Sequence, residues 1–245
     1  MSLKRLFPLS ILIGSIIFPL FSFSKPWPGF GASTPVLKYE KDEAYDPNYK
    51  FGQFRTFNAY HDPDFMVALD LPSPMENSDY NTYNIIIEIN DNETNINTEA
   101  FGPPQTMRVY SRNVEGNDKK LLYFWAISTG IDQASTKKGV FRPQRFSSRH
   151  WSKAYDAPML FSVFFDNGRA LHSSIATSDL ELMGKQKSSH GCVHVEDNRA
   201  EELFHLIGQS GYGSVDLIDK KGKVIRTAQG NTKQVTSYKT LIIIH

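Results

Sequence analysis

The sequence contains a single cysteine, Cys192, among 245 residues. No intramolecular disulfide can form, and a zinc site built from four cysteines is excluded. The chain also lacks a surplus of either charge: 27 Lys and Arg stand against 26 Asp and Glu, with no basic run. Nucleic acid is therefore left without an electrostatic footprint to bind. Internal repeats and low-complexity runs are absent as well. With 40% hydrophobic and 22% charged residues, the composition is that of a globular chain, not of a disordered, collagen-like or multi-span membrane protein. The length suits one large or two small domains.

The first segment reads as an address. Lys4 and Arg5 precede an apolar run from Leu6 to Phe23, interrupted by Pro8, Gly14 and Pro19. A short basic start, an apolar stretch and the small-x-small end Ser22-Phe23-Ser24 predict a signal peptide over residues 1–24, cut after Ser24. An uncleaved membrane anchor is the alternative, because the run is almost long enough to span a bilayer; the two prolines and Gly14 weaken it. Either reading exports the rest of the chain, whose net charge becomes −1 once the two positive charges of 1–24 are removed. Exported proteins usually pair their cysteines, so a lone thiol there is either buried or kept for its chemistry.

Residues 25–82 show no clear periodicity but many turn formers, from Pro26 and Pro28 to Pro72 and Pro74, interleaved with aromatics such as Trp27, Tyr49 and Phe65. Such aromatics argue for an irregular arm packed on a main domain rather than a linker. Gly52 to Leu71 has room for a short helix, and His61 is read as a turn or surface residue. From Tyr83 the pattern changes to short strands: Asn84–Asn90, Gln105–Ser111 with Met107 and Val109 facing away from Arg108 and Tyr110, and Leu121–Ile127. Met159–Phe165 and Arg169–Ser173 flank Asp166-Asn167-Gly168, a hairpin turn. Ser214–Ile218 and Val224–Arg226 follow a helix that begins near Glu196-Asp197-Asn198, carries Ala200, Leu203, Phe204 and Ile207 on one face, and stops at Gly208 or Gly211. Arg199 on its first turns is read as a brace and His205 as structural or exposed. The fold class is mainly β, a sandwich or partly closed barrel with one main helix. The main domain spans 83–228, leaving 229–245 as a carboxy-terminal extension.

The chemistry concentrates just before that helix, at Ser188-Ser189-His190-Gly191-Cys192-Val193-His194. A nucleophilic cysteine needs its thiolate form, which a nearby imidazole or helix N-terminus makes cheaper. Gly191 permits close backbone approach, and N–H groups around it suit a developing oxyanion. Twenty residues upstream, His172 ends a strand and is the candidate base. His190 is positioned to hold the loop, and Ser189 or Ser173 to fix an imidazole by hydrogen bonding. Two other readings stay open on the residues alone. Cys192 can be a buried structural cysteine, or His190, Cys192, His194 and His172 can offer four ligands to zinc.

These residues carry a resemblance. Ser189-His190-Gly191-Cys192-Val193 with His172 upstream is similar to the signature of the L,D-transpeptidase catalytic domain family (YkuD-like). Ile127-Ser-Thr-Gly130 and Thr136-Lys-Lys-Gly-Val-Phe141 resemble further elements of that family in the expected order, so the likeness covers about residues 84–227. The resemblance implies a β-rich, exported enzyme acting on the peptide stems of peptidoglycan, with Cys192 as nucleophile, His172 as base, and no metal or organic cofactor. It implies a thioester with a tetrapeptide stem and transfer to an amine, giving 3–3 cross-links or exchange. Hydrolysis as a carboxypeptidase, or release of a wall-attached protein as an amidase, would use the same acyl-enzyme. An inactive wall-binding or zinc-binding module is the reading from another class. Export together with such a domain points to the periplasm.

Two departures stand out. His194 occupies a position where the family usually places Asn or Arg, so a titratable ring stands where acceptor choice or pH dependence is set. Thr136-Lys137-Lys138-Gly139 lacks the related element's proline. The spacer from Asp179 and Glu181 through Met183 to Lys185-Gln-Lys187 is read as either a lid or a solvated loop. Arg149 and Trp151, placed in a loop before Met159, are candidate substrate contacts, with a core-edge role as the alternative.

Overall fold

The computed structural model describes residues 46–50, 71–93, 102–112, 119–174 and 177–245, all within one unit spanning 38–245. The segment 1–24, most of the 25–82 arm and His61 lie outside the described residues. Among the described residues no helix is long and apolar enough to cross a membrane.

Eleven strands and one long helix make up the described fold. The strands are β1 Ile85–Asn90, β2 Thr106–Arg112, β3 Lys119–Ala126, β4 Gly139–Phe141, β5 Arg145–Ser152, β6 Ala157–Asp166, β7 Arg169–Ser174, β8 Val193–Glu196, β9 Tyr212–Asp216, β10 Gln234–Tyr238 and β11 Thr240–Ile244. A short helix α1, Thr177–Leu182, precedes the main helix α2, Asp197–Gln209. One sheet runs β3-β2-β1-β11-β4, a second runs β5-β6-β7-β8, and β9 and β10 form a ribbon. Neither larger sheet closes on itself, so the architecture is an open sandwich rather than a barrel.

One apolar cluster joins the two sheets and the helix. Ile85, Ile87 and Ile89 of β1 meet Val163 of β6, Leu171 of β7, Val193 and Val195 of β8, and Ala200, Leu203, Phe204 and Ile207 of α2. The helical spacing of those last four explains why α2 lies against β6 and β7. The other face of the first sheet is buried too: Ile86, Tyr110, Leu241 and Ile243 pack with Met75, Tyr80, Val215 and Ile218. Strands covered on both faces read as unbroken apolar runs, which is why Ile85-Ile-Ile and Leu241-Ile-Ile-Ile show no alternation. β2 does alternate as expected, with Met107 and Val109 in the first cluster and Tyr110 in the second.

The turn between β6 and β7 is a two-residue hairpin, with φ of 42° at Asn167 and 88° at Gly168, the left-handed pair such tight turns demand. Helix α2 ends at Gln209 with Ser210 as its cap, and Gly211 follows at φ 94°.

The stretch 229–245, set apart in the sequence as an extension, instead supplies β10 and β11. β11 lies between β1 and β4, pairing parallel to β1 from Ile85 with Thr240 through Ile89 with Ile244. A fully apolar strand such as Leu241–Ile244 needs two flanking partners and two covered faces, and only the sheet interior provides both.

Candidate active site

β7 and β8 run parallel, with Leu171 opposite Val193 and His172 opposite His194. Side chains alternate along strands, so Leu171 and Val193 point into the core. His172 and His194 project from the other face, where their rings meet edge to face with centroids 4.9 Å apart. Cys192, two residues before His194, joins this face and packs against Met159, Phe164 and Ala170. The fold thereby brings together three of the predicted residues: Cys192, His172 and His194.

The ring of His172 is oriented by the backbone. His172 is buried, and its Nδ1 lies 2.7 Å from the carbonyl oxygen of Ser173. A carbonyl only accepts, so Nδ1 carries the hydrogen and the lone pair of the neutral ring is at Nε2. The sequence assigns this orienting role to a serine hydroxyl; the carbonyl of Ser173 performs it instead. Burial pushes the Cys192 thiol up, opposed by a backbone hydrogen bond from Ala170 and by the charge of Arg169. The resting sulfur is therefore a protonated thiol at neutral pH, and its activation requires a base.

The loop around Cys192 is braced from several directions. Ser189 Oγ donates to the carbonyl of Cys192 at 2.6 Å and accepts from the Gly191 N–H at 3.1 Å. This corrects two expectations: Ser189 holds the loop rather than an imidazole, and the Gly191 amide is already engaged. Thr136 Oγ1 also donates to the Cys192 carbonyl, at 3.3 Å, and accepts from Gly130 N–H at 2.8 Å. The turn Ser128-Thr129-Gly130 runs alongside: Ser188 and Ser189 N–H both donate to Thr129 O at 3.0 Å, and Ile131 N–H donates to Ser189 O at 3.0 Å. Thr129 in turn donates to the buried Asp91 and is held by Gln105, whose Nε2 donates at 3.0 Å. Gly191 adopts φ 104°, and a side chain there would begin 2.9 Å from Arg169 Nε.

The remaining candidates are dispersed. His190 is exposed and stacks on Tyr155 at 4.7 Å. Arg149 and Trp151 do not lie in a loop: both belong to β5, paired with Leu160 and Pro158 of β6, because the register of that long hairpin extends to Ser152. Arg149 is exposed there, and Trp151 Nε1 donates to Asp156 Oδ1 at 3.3 Å. No three histidine, cysteine or acidic side chains among the described residues converge as a metal site, which removes the four-ligand zinc arrangement. The spacer is neither lid nor free loop at its end. Met183 is fully buried, Gly184 N–H donates to Ile127 O at 2.8 Å, and Lys187 Nζ lies 3.7 Å from Asp91 Oδ1.

Arg169 and Tyr155 escape sequence reasoning, since each reaches the loop only through the fold. Arg169 pairs with Asp166 at 3.3 Å across the β6–β7 turn, which aims it at Gly191. The adjacency of an arginine to a hairpin acid was the one available signal.

An open β-sandwich with one main helix, a buried imidazole and a thiol on the same strand pair is a fold of the L,D-transpeptidase type. The sequence from 103 to 244, more than half of the chain, matches the L,D-transpeptidase catalytic domain (YkuD), and the chain belongs to that family. No curated protein matches the chain. Among solved structures, it is similar to an L,D-transpeptidase from Stackebrandtia nassauensis at 16% identity and TM-score 0.38, covering 66% of this chain and 55% of that one. Similarity to the L,D-transpeptidase from Mycobacterium smegmatis is 14% with TM-score 0.41, covering 66% and 59%. An L,D-transpeptidase from Mycobacterium tuberculosis H37Rv gives 14% and 0.41, covering 66% and 58%. The chain thus spans less than two thirds of the structures it matches.

Proposed function

We propose that the protein is an exported peptidoglycan L,D-transpeptidase with Cys192 as nucleophile and His172 as base. The observation that carries the reading is the shared face of β7 and β8: the thiol and an imidazole with its proton fixed at Nδ1 by Ser173 project on the same side. A thiol raised by burial needs such a base, and Nε2 is the nitrogen that can accept its proton.

In the first half-reaction His172 Nε2 takes the Cys192 proton as sulfur adds to the carbonyl of the third stem residue. With the Gly191 amide bound to Ser189 Oγ, the amide of Cys192 itself is the assigned donor to the oxyanion. The C–N bond to D-alanine then breaks, His172 returns the proton to the departing amine, and a thioester remains. An incoming stem amine gives a proton to His172 as it attacks the thioester carbonyl; the C–S bond then breaks, His172 returns the proton to sulfur, and the new amide is the 3–3 cross-link. The basic start and apolar run of residues 1–24, read as a signal peptide, support export to the periplasm as the setting of this chemistry.

Purified protein incubated with tetrapeptide muropeptides, with products read by mass spectrometry, tests the proposal. Cross-linked dimers are the expected product, and Cys192→Ala should form none while keeping its far-ultraviolet circular dichroism. Tripeptides without dimers would replace transpeptidation by hydrolysis. Dimers made equally well by Cys192→Ala would remove the assigned nucleophile.

A further inference from the structure

A cleft of about 740 Å³ opens where the mouth of the sandwich meets the β9–β10 ribbon. Phe141 and Phe165 line it, edge to face at 5.2 Å. Arg142 and Lys220 line it as well, together with Tyr212, which is 66% exposed. The Lys220 ammonium sits 3.2 Å from the centroid of the Phe141 ring.

The two acids of the cleft are already engaged. Asp166 pairs with Arg169, and Asp219 accepts from the N–H groups of Lys221 and Lys223 at 2.8 and 2.9 Å. Neither Arg142 nor Lys220 has a carboxylate at ion-pair distance among the described residues. Burial pushes Lys220 down, and the neighbouring cations Lys137 and Arg142 add to that against the pull of Asp166. Crowded cations beside an apolar floor are relieved by an anion that carries apolar surface of its own. One lining residue reaches toward the thiol loop: Asp166 holds the Arg169 that lies against Gly191.

We propose that this cleft is a second subsite, in which Arg142 and Lys220 bind the carboxylate-bearing part of a peptide stem while Tyr212 covers its apolar part. The assignment rests on the peptidoglycan reading above and extends it by separating stem recognition from the face that carries Cys192. Two cations without a carboxylate partner among the described residues, Arg142 being held by the Tyr83 hydroxyl, match two or more carboxylates on one short peptide.

Calorimetric titration of the Cys192→Ala protein with a free tetrapeptide stem, and with the same peptide amidated at its carboxylates, tests the subsite. Loss of charge-assisted contacts in Arg142→Gln/Lys220→Met should weaken the free peptide about tenfold. The amidated peptide should bind the parent about tenfold more weakly and lose little more in the double variant. Tyr212→Ala, at an exposed position, should weaken both peptides severalfold while the far-ultraviolet circular dichroism is kept. In the protein with Cys192 intact, the double variant should raise KM more than it lowers kcat. Equal affinity of parent and variants, or a parent that does not distinguish the free from the amidated stem, overturns the subsite. Turnover whose KM ignores Arg142 and Lys220 overturns it while leaving the transpeptidase standing. Charge-dependent stem binding without any turnover by the intact protein keeps the subsite and overturns the enzyme.

Discussion

At Gly130 two backbones come so close that no side chain fits. A Cβ there would lie 2.3 Å from Ala134 O and 2.7 Å from Gly191 Cα. Both neighbours are backbone, so neither can swing aside. Gly130→Ala is expected to cost about 3 kcal/mol or more, read as a lowered urea midpoint, and to slow Cys192 alkylation by displacing its loop. A neutral urea midpoint would mean that the two loops part without cost. The thiol itself gives a second prediction. Because burial raises Cys192 in the folded state, iodoacetamide labelling should rise at higher pH in the native protein than in the urea-unfolded chain. The linked stability is present below the unfolded thiol's pKa and is lost as pH climbs through the native one. Overlapping labelling curves would refute the raised thiol. Cys192 and His172 are legible in the sequence because the chemistry leaves a fixed motif around them. Arg169 and Tyr155 are not, because a stacking or packing contact across a turn leaves no spacing to read.

Among elements, helix α2 does more than fill the core. Its His205 Nδ1 accepts from the N–H of Asp46 at 2.9 Å, Gln209 Nε2 donates to Asp46 O at 2.8 Å, and Tyr49 stacks on the His205 ring at 4.3 Å. An Nδ1 that accepts must carry no proton, so this contact exists only with a neutral ring. Burial lowers His205, with Asp46 pulling the other way. A lowered histidine contributes stability above its unfolded pKa of about 6.5 and loses it as pH falls through the native value. Protection of the amides at residues 46–50, relative to their intrinsic exchange, should accordingly fall as pH drops below the unfolded histidine's value, and His205→Phe, which keeps the stacking, should remove that pH dependence. Protection that stays constant across that pH range in the parent would rule out the contact. The buried carboxyl of Asp91 makes the parallel case for the thiol loop: Asp91→Ala removes one acceptor of Thr129 and one of the two carboxylates beside Lys187. About tenfold slower turnover is expected, with the urea midpoint lowered. The reading of α2 from periodicity holds because one face of a helix is a local pattern. Its grip on residues 46–50 was hidden, since the single histidine involved looks the same whether it is exposed or bonded.

For the molecule as a whole, the decisive contact is the most distant. β1 finds its parallel partner in β11, with Ile85 opposite Thr240, and β11 alone connects β1 to β4. Deleting residues 240–245 should leave no cooperative unfolding transition, because β1 and β4 each lose a hydrogen-bonded neighbour and both core clusters lose the side chains of β11; a truncated protein that melts sharply would contradict the topology. The sequence hides this because an apolar run of four residues, Leu241–Ile244, after a polar stretch has no periodicity to mark it as central. Long-range pairing of this kind also slows folding, since loop closure precedes any gain from contact. It further sets an order of events. Thr136 and Gly139 flank one short segment, and the first binds the Cys192 carbonyl while the second opens the strand that β11 secures. From residue 192 onward a growing chain therefore carries its sulfur without the frame that aims it. What the late docking of β11 withholds is the placement of that sulfur, not its exposure: before the strand arrives the thiol ionises more readily, and only afterwards is it held in a fixed direction.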